Sequence, residues 1–337
     1  MLNFDEQRFV RIQSGALAQA QGIHAAISGC LERGARNLIF AGSGGAGILM
    51  GPAARLLQTR STFPVHVELP AELVVSGSAH LGPGSVVVIP SLSGTTRESV
   101  AALEYCRERG ATVIALVGHE DTPLGTAADY SFVNFAEDDT SCESFYLQSL
   151  LVALSVLQVR GEGEGLATVR EELGALPELL VGVKEWFEPR AEILAKTIAG
   201  DEFHIITGSG NTWPEAFYYG MCILEEMQWI RTRPVHASDF FHGTLELVEQ
   251  GVSVLVLKGE GPARALAERV EAFAPQYTDK VEVLDAGEFP LPGISPTTRE
   301  LLSPVLLATV LERVSAHLEV IRDHPLTTRR YYKRVAY

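Results

Sequence analysis

Paired cysteines, a hydrophobic leader, a membrane-length apolar run and an excess of positive charge are all missing from this 337-residue chain. Its four cysteines, Cys30, Cys106, Cys142 and Cys222, lie far apart, with no CxxC and no metal-ligand spacing. They read as buried free thiols of a reducing compartment, not as a disulfide framework or a metal site. The opening MLNFDEQRF has neither a basic n-region nor an apolar h-region, so no secretory signal is visible. The longest mainly apolar run, Ser149 to Val159, is about half of the ~20 residues a bilayer requires. Lysine and arginine total 27 against 42 aspartates and glutamates, a formal charge of −15. A chain this acidic repels DNA and anionic lipid as a whole, although a local pocket for one phosphate is compatible with it. A soluble, cytoplasmic protein without nucleic-acid or membrane partners is expected.

The hydrophobic fraction of 46% and the charged fraction of 20% are ordinary globular values, and the length suits one large or two medium domains. After a helical stretch near Ile12–Arg33, β-branched runs alternate with amphipathic segments. Asn37–Ala41, Pro64–Leu69, Ser85–Pro90, Ala111–Val117 and Tyr130–Phe135 are the strand candidates of the first half. Ser141 to Val159 reads as a long helix, and Glu162–Lys196 as connecting helices. The pattern then restarts, with strands at Glu202–Thr207, Val252–Lys258 and Val281–Asp285. Helices are expected from Pro214, over Pro262–Phe273 and over Thr297–Arg322. Near-continuous apolar strands separated by helices indicate βαβ units and an α/β fold with parallel sheets. The turn GSG at Gly42–Gly44 recurs at Gly208–Gly210, which marks an internal duplication of two α/β halves. The boundaries read as a helical segment over 1–34, a first domain over 35–160, connecting helices over 161–200, a second domain over 201–325 and a tail over 326–337.

Three stretches carry chemistry. Gly42-Ser43-Gly44-Gly45-Ala46-Gly47 satisfies GxGxxG between a strand and a helix. It reads either as a dinucleotide turn with Glu68 as the ribose acid, or as glycines that let strand and helix pack closely. Ser91-Leu92-Ser93-Gly94-Thr95-Thr96 places four hydroxyls at a helix N-terminus. One hydroxyl suffices for an N-cap, so the surplus points to an anion held by hydroxyls, backbone N–H groups and the helix dipole, with Ser43 as a further donor. The corresponding second-half loop, Lys258-Gly259-Glu260-Gly261, lacks the hydroxyls, so one phosphate site per chain is expected. Glu226 sits among Cys222, Ile223 and Ile230 at helical spacing. It reads as a desolvated carboxylate suited to general-base work, or as half of a structural ion pair with Arg231 or Arg233. His242, beside Gly243, reads as either a catalyst or a capping residue, and the same holds for His236.

Together these signals resemble the tandem sugar-isomerase (SIS) domain family: the isomerase half of glucosamine-6-phosphate synthase and, more closely, the fructosamine-6-phosphate deglycases. The stretch LEEMQWIRTRPVHASDFFHGTLELVE and the ending HPLTTRRYYKRVAY carry most of the likeness. The resemblance implies two flavodoxin-like SIS halves, each a parallel sheet flanked by helices, with no cofactor and no metal. It implies sugar phosphate on Ser43, Ser91, Ser93 and Thr96, with Gly42, Gly44, Ser141 and Glu143 as other substrate contacts. It implies Glu226, His242 and Lys333 as catalytic residues, the tail lying over the active site. The histidine would come from a partner subunit, giving a homodimer with a shared site; whether two dimers associate further stays open. The synthase pattern has glutamine where Leu92 stands, glutamate where Thr95 stands and lysine where Ile223 stands, which argues against amination of fructose 6-phosphate. Deglycation of a phosphorylated ketosamine is the expected reaction. Aldose–ketose isomerisation, deamination of an amino-sugar phosphate and non-catalytic sugar-phosphate sensing are the alternatives.

Overall fold

The computed structural model describes every residue except 135, 137–141, 333, 336 and 337. It divides into two compact units, residues 6–177 and residues 178–337 together with 1–5. The division falls at the start of the connecting helix Leu176–Gly200, inside the expected linker.

The first unit is built on strands β1 (Asn37–Ala41), β2 (Val65–Glu68), β3 (Ser85–Ser91), β4 (Thr112–Val117) and β5 (Tyr130–Val133). They form one parallel sheet in the order β2-β1-β3-β4-β5. Every residue of β1 and β3 is buried, whereas the edge strands β2 and β5 are half-exposed. That gradient is the reason the central runs are unbroken in Val, Ile and Leu. Helix Arg97–Glu108 lays Ala102, Leu103 and Cys106 on Ile39, Val87 and Val113 of one face. Helix Glu143–Val159 is buried from Glu143 through Leu157 among the helices Glu6–Ala18, Ala20–Glu32 and Gly51–Arg60. It is apolar all round because it is surrounded on all sides. The N-terminal stretch expected as one helix is two, broken at Gln19.

The second unit contains β6 (Phe203–Gly208), β7 (Arg231–His236), β8 (Ser253–Lys258) and β9 (Val281–Asp285), again all parallel, in the order β7-β6-β8-β9. Strand β7 is not anticipated by the sequence pattern: its residues RTRPVH include exposed Arg231 and Arg233, and Pro234 interrupts it. It is an edge strand, the position in a sheet where proline and charge are tolerated. Helix Pro296–Ile321 is long and apolar enough to cross a membrane, but its most apolar window is 89% buried in the fold, as befits a core helix. All four cysteines are buried and stand outside any disulfide, as expected.

Charged groups are buried under the first five residues. Lys184 and Arg313 are both fully buried; Lys184 Nζ donates to Glu312 Oε2 at 2.7 Å and Arg313 Nε to Glu188 Oε2 at 2.7 Å. The Leu2 N–H donates to Glu188 Oε1 at 2.7 Å, Arg313 donates to the Leu2 carbonyl, and the Phe4 ring covers both cations at 5.3–5.5 Å. Burial pushes the Glu188 carboxyl up, but the bonds from Arg313 and Leu2 and the charges of Arg313 and His317 outweigh it, bringing it from 4.5 down to about 2. A carboxyl depressed in the folded state contributes stability above its unfolded value and loses it as pH falls through the folded one. Unfolding measured by denaturant titration should therefore show stability dropping as pH falls from 4.5 towards 2. Glu188→Gln should flatten that drop and cost about 3 kcal/mol at neutral pH, because buried Arg313 is left with only the longer 3.4 Å pair to Glu312.

Candidate active site

In the first sheet the chain leaves β1 towards β2 on one side and returns to β3 on the other. Strand order reverses there, and the loops at the carboxyl ends of β1 and β3 flank the crevice in which open parallel sheets bind ligands. Those two loops are Gly42–Gly47 and Ser91–Thr96. The first is closed on itself: a Cβ on Gly42 would lie 2.4 Å from Gly47 Cα and 2.9 Å from Pro90 Cγ, and one on Gly47 would lie 2.2 Å from the Gly42 carbonyl oxygen. The glycines are explained by this close approach, and Glu68, the candidate ribose acid, accepts a bond from Ser78 Oγ at 3.0 Å. The packing reading of GxGxxG accounts for the motif without a dinucleotide.

The second loop is held from behind. Gly94, at φ +62°, donates to the Ser91 carbonyl at 3.1 Å, and a Cβ on it would lie 2.1 Å from Thr122 Oγ1. The Gly118 N–H bonds the Leu92 carbonyl at 3.0 Å and the Leu124 N–H the Gly94 carbonyl at 3.2 Å. The hydroxyls are left in front. Ser91 Oγ and Thr96 Oγ1 stand 3.2 Å apart, and Ser93 Oγ accepts from the N–H and hydroxyl of Thr95 at 3.3 and 3.1 Å. Thr96 occupies the N-cap position of helix Arg97–Glu108 and Ser43 that of the short helix Gly44–Ile48, yet neither makes a side-chain cap. At two other helix starts with extended N-cap backbones the same residue types do cap, Thr122 accepting from Gly125 N at 3.1 Å and Ser295 from Thr298 N at 3.4 Å, while Thr168, Thr212 and Ser238 at helical N-cap backbones do not. Hydroxyls and a helix N-terminus without its side-chain cap thus stand on both sides of one crevice, the chemistry by which helix N-termini hold anions in general.

The corresponding crevice of the second sheet, between β6 and β8, is filled by its own bonds. Ser209 Oγ donates to the Ala263 carbonyl at 2.7 Å, and Thr212 Oγ1 to the Leu257 carbonyl at 3.1 Å. Arg299 closes on Glu260 at 2.8 Å, and Lys258, ending β8, is bound by Glu271 and Asp285 at 2.8 and 3.0 Å.

Glu226 lies at the opposite end of that second sheet. The helix expected from Pro214 begins at Trp213, is α-helical only to Tyr218, and widens to π geometry over Tyr219–Met227. Gln228 N bonds the Ile223 carbonyl at 3.1 Å, the longer reach of a wide turn. The chain leaves through Trp229 at φ +57° and enters β7. Because Glu226 falls in this last turn, it is not the buried carboxylate its neighbours suggest: its side chain keeps 34% exposure. It is paired, with Arg329 Nε at 2.9 Å and not with Arg231 or Arg233. Arg329 is 10% exposed, and its Nη1 donates to the carbonyls of Leu326 and Thr328 at 2.6 and 3.0 Å. Beside the pair opens a cavity of about 820 Å³, walled by the entries to β6 and β7 and by tail residues including Arg330 and Tyr332. Arg330 lies over the Trp229 ring at 3.9 Å. The tail thus reaches Glu226, but through an arginine; the sequence shows a basic run there and nothing that singles out Arg329.

His242 is exposed at the end of a short turn, Asp239–His242, followed by Gly243 at φ +148°. His236 is bonded to Ser238 Oγ at 2.7 Å and set edge-on to Trp213 at 5.7 Å. Glu143 is fully buried in the first turn of its helix, where the dipole favours a carboxylate. Gly42 is buried in its turn, while Gly44 is exposed at φ +55°. Ser141 and Lys333 lie outside the described residues. Among the described residues no group of three histidine, cysteine or acidic side chains could hold a metal.

Residues 33–158 match the family model of the SIS domain. This segment is a SIS domain. The whole chain is similar to fructosamine deglycase FrlB of Bacillus subtilis (strain 168), at 28% identity covering 89% of this chain and 92% of that one. It is similar to fructoselysine 6-phosphate deglycase of Escherichia coli (strain K12), at 26% identity covering 92% and 89%. A crystal structure from Bacillus subtilis, assigned as a phosphosugar isomerase, superposes with a TM-score of 0.86 at 27% identity over 99% of this chain and 100% of that one. The SIS domain spans both hydroxyl-bearing loops.

Inorganic phosphate should raise the melting temperature of the protein. Ser91→Ala combined with Thr96→Val should weaken that phosphate binding by roughly 10²- to 10⁴-fold, since each of the two charge-assisted bonds contributes about 1.5–3 kcal/mol, while leaving the melting temperature without phosphate nearly unchanged. Thermal shift across a phosphate titration reads both.

Proposed function

We propose that this protein deglycates a fructosamine 6-phosphate, releasing glucose 6-phosphate and a free amine or amino acid. The observation that carries the reading is the pair of N-cap hydroxyls, Ser43 and Thr96, left uncapping on either side of the β1/β3 crevice. The names of the deglycase relatives, which align over most of the chain, support the class of substrate. Ser43, Ser91, Ser93 and Thr96 take the phosphate, with Gly42, Gly44, Ser141 and Glu143 contacting the rest of the sugar. Fixed donors on the anionic end orient the sugar without entering the chemistry.

Glu226 is the base. It removes a proton from C1 of the open-chain ketosamine as O2 gains one, giving a planar enaminol. It returns the proton at C2 while the nitrogen loses its own, giving the aldose imine. Water then adds to C1, the C1–N bond breaks and the amine leaves, so that substrate plus water balances glucose 6-phosphate plus amine. One carboxylate serves both carbons because they are adjacent. His242 assists ring opening, and its exposure suits a residue offered to a partner subunit in a homodimer. Lys333 acts from the tail. The two sheets, whose first four strands follow one order, are read as tandem SIS halves. The same glutamate would serve a phosphosugar isomerase, a class favoured by the Bacillus subtilis crystal structure.

A panel of 6-phosphorylated ketosamines, scored for glucose 6-phosphate together with free amine, tests the reading. Stoichiometric release of both is expected, whereas ammonia alone, or ketose–aldose exchange with no amine, would replace it by deamination or isomerisation. Glu226→Gln should lower kcat by roughly 10²- to 10⁴-fold with little change in KM. Near-normal turnover by this variant would remove Glu226 from the mechanism.

A further inference from the structure

The guanidinium of Arg329 is fixed independently of Glu226. Two carbonyls of its own turn, Leu326 and Thr328, hold Nη1 at 2.6 and 3.0 Å, and the side chain is nine-tenths buried. Nε is then presented to Glu226 Oε1 at 2.9 Å. Leu326 is itself anchored, its N–H donating to Glu319 Oε1 at 3.0 Å on the long helix Pro296–Ile321. The tail therefore delivers a cation to Glu226 from a rigid element, through Nε to Oε1.

We propose that Arg329 is a positioning residue for Glu226, holding the carboxylate ionised and aimed so that it starts each turnover as a base. The inference rests on the role of Glu226 stated above. The other charged and titratable groups around the carboxylate, among the described residues, do not substitute for this contact. On its own helix Glu225 turns to Thr232 Oγ1 at 2.6 Å. Ahead of β6, Asp201 is paired with Lys280, and Glu202 adds a second acid to the cavity wall. From the long helix Arg322 donates to the Gln228 carbonyl at 3.2 Å, and in the tail Arg330 stacks on Trp229. Arg231 of β7 and the phenols of Tyr331 and Tyr332 complete the wall. Three acids and three further arginines line the same space, and in it the fixed guanidinium of Arg329 meets the carboxylate at 2.9 Å.

The test compares Arg329→Met, Arg329→Lys and Glu226→Gln on one ketosamine 6-phosphate, each variant first checked for an unchanged melting curve. Removing a cation disfavours the ionised carboxylate, so the acid limb of kcat/KM should move to higher pH by about one unit in Arg329→Met. On the acid limb itself kcat should fall by up to about tenfold at a given pH, with recovery as pH rises, and KM should change less than threefold. Arg329→Lys, which keeps the charge and loses the fork, should restore the acid limb but only part of kcat. An acid limb that stays in place in Arg329→Met, with activity lost uniformly or not at all, would overturn the inference. If Glu226→Gln is as active as the parent, the base assignment fails instead, and the Arg329 profile is not needed to show it. Should Arg329→Met melt early, the Lys variant decides: a shifted acid limb despite a retained charge also overturns the proposal.

Discussion

The helix that follows β3 begins without the side-chain cap its own residues could supply, and the reading of the first unit depends on that. Thr96 stands at the N-cap, with Ser91 3.2 Å away, and the hydroxyls bond to one another instead of to the helix. An uncapped N-terminus retains its partial positive charge and its unsatisfied N–H groups, which is a cost to the fold when nothing is bound. The loop tolerates that cost because it is braced from behind by Thr122, Leu124 and Gly118, with Gly94 in a left-handed conformation that a side chain could not share with Thr122. The hydroxyls are preorganised by bonds that do not involve them.

The second sheet shows what the same topology looks like when its crevice serves packing alone. Its first four strands repeat the order of the first sheet, and its turn keeps GSG at Gly208–Gly210. There Ser209 and Thr212 spend their hydroxyls on backbone carbonyls, and the cations Lys258 and Arg299 are neutralised by Asp285, Glu271 and Glu260. Burial pushes the Asp285 carboxyl up, but bonds from Arg264 and Lys258 bring it down to about 2, as expected of a structural anion. One topology thus supplies two crevices, and side-chain chemistry decides that hydroxyls line one while internal bonds fill the other.

Much of this is legible in the chain. Val281–Asp285 is a strand with the expected bounds, and Ser85, Val252 and Thr297 lie within a residue of the starts of their elements. The strands from Ser85 and Ser253 are central, and burial on both faces imposes a near-continuous apolar run there, whereas Val281–Asp285 is a half-buried edge strand that its valines and leucine still mark. Strand β7 is not legible, because an edge position permits Arg231, Arg233 and Pro234, which in isolation read as a loop. The four-hydroxyl loop is legible because a surplus over capping needs has few other physical explanations. Arg329 is not: its place beside Glu226 is set by the long helix and the turn at Leu326, a separation of 103 residues along the chain that no local pattern encodes.

The expectation for Glu226 shows how periodicity misleads. At 3.6 residues per turn, Cys222, Ile223 and Ile230 surround it and predict a desolvated acid. The widened turn over Tyr219–Met227 breaks that period, and Gly220, whose Cβ would lie 2.6 Å from Pro234 Cγ, lets the helix press onto β7 as it ends. The carboxylate is thereby placed at the rim of a cavity and not in the core. A cation stands beside it at 2.9 Å, and an opposite charge favours the ionised form of a carboxylate where burial disfavours it. On the proposed reading, a base paired with an arginine on the tail is sensitive to whatever moves the tail. A base tuned by burial would have been sensitive only to the packing of its own helix.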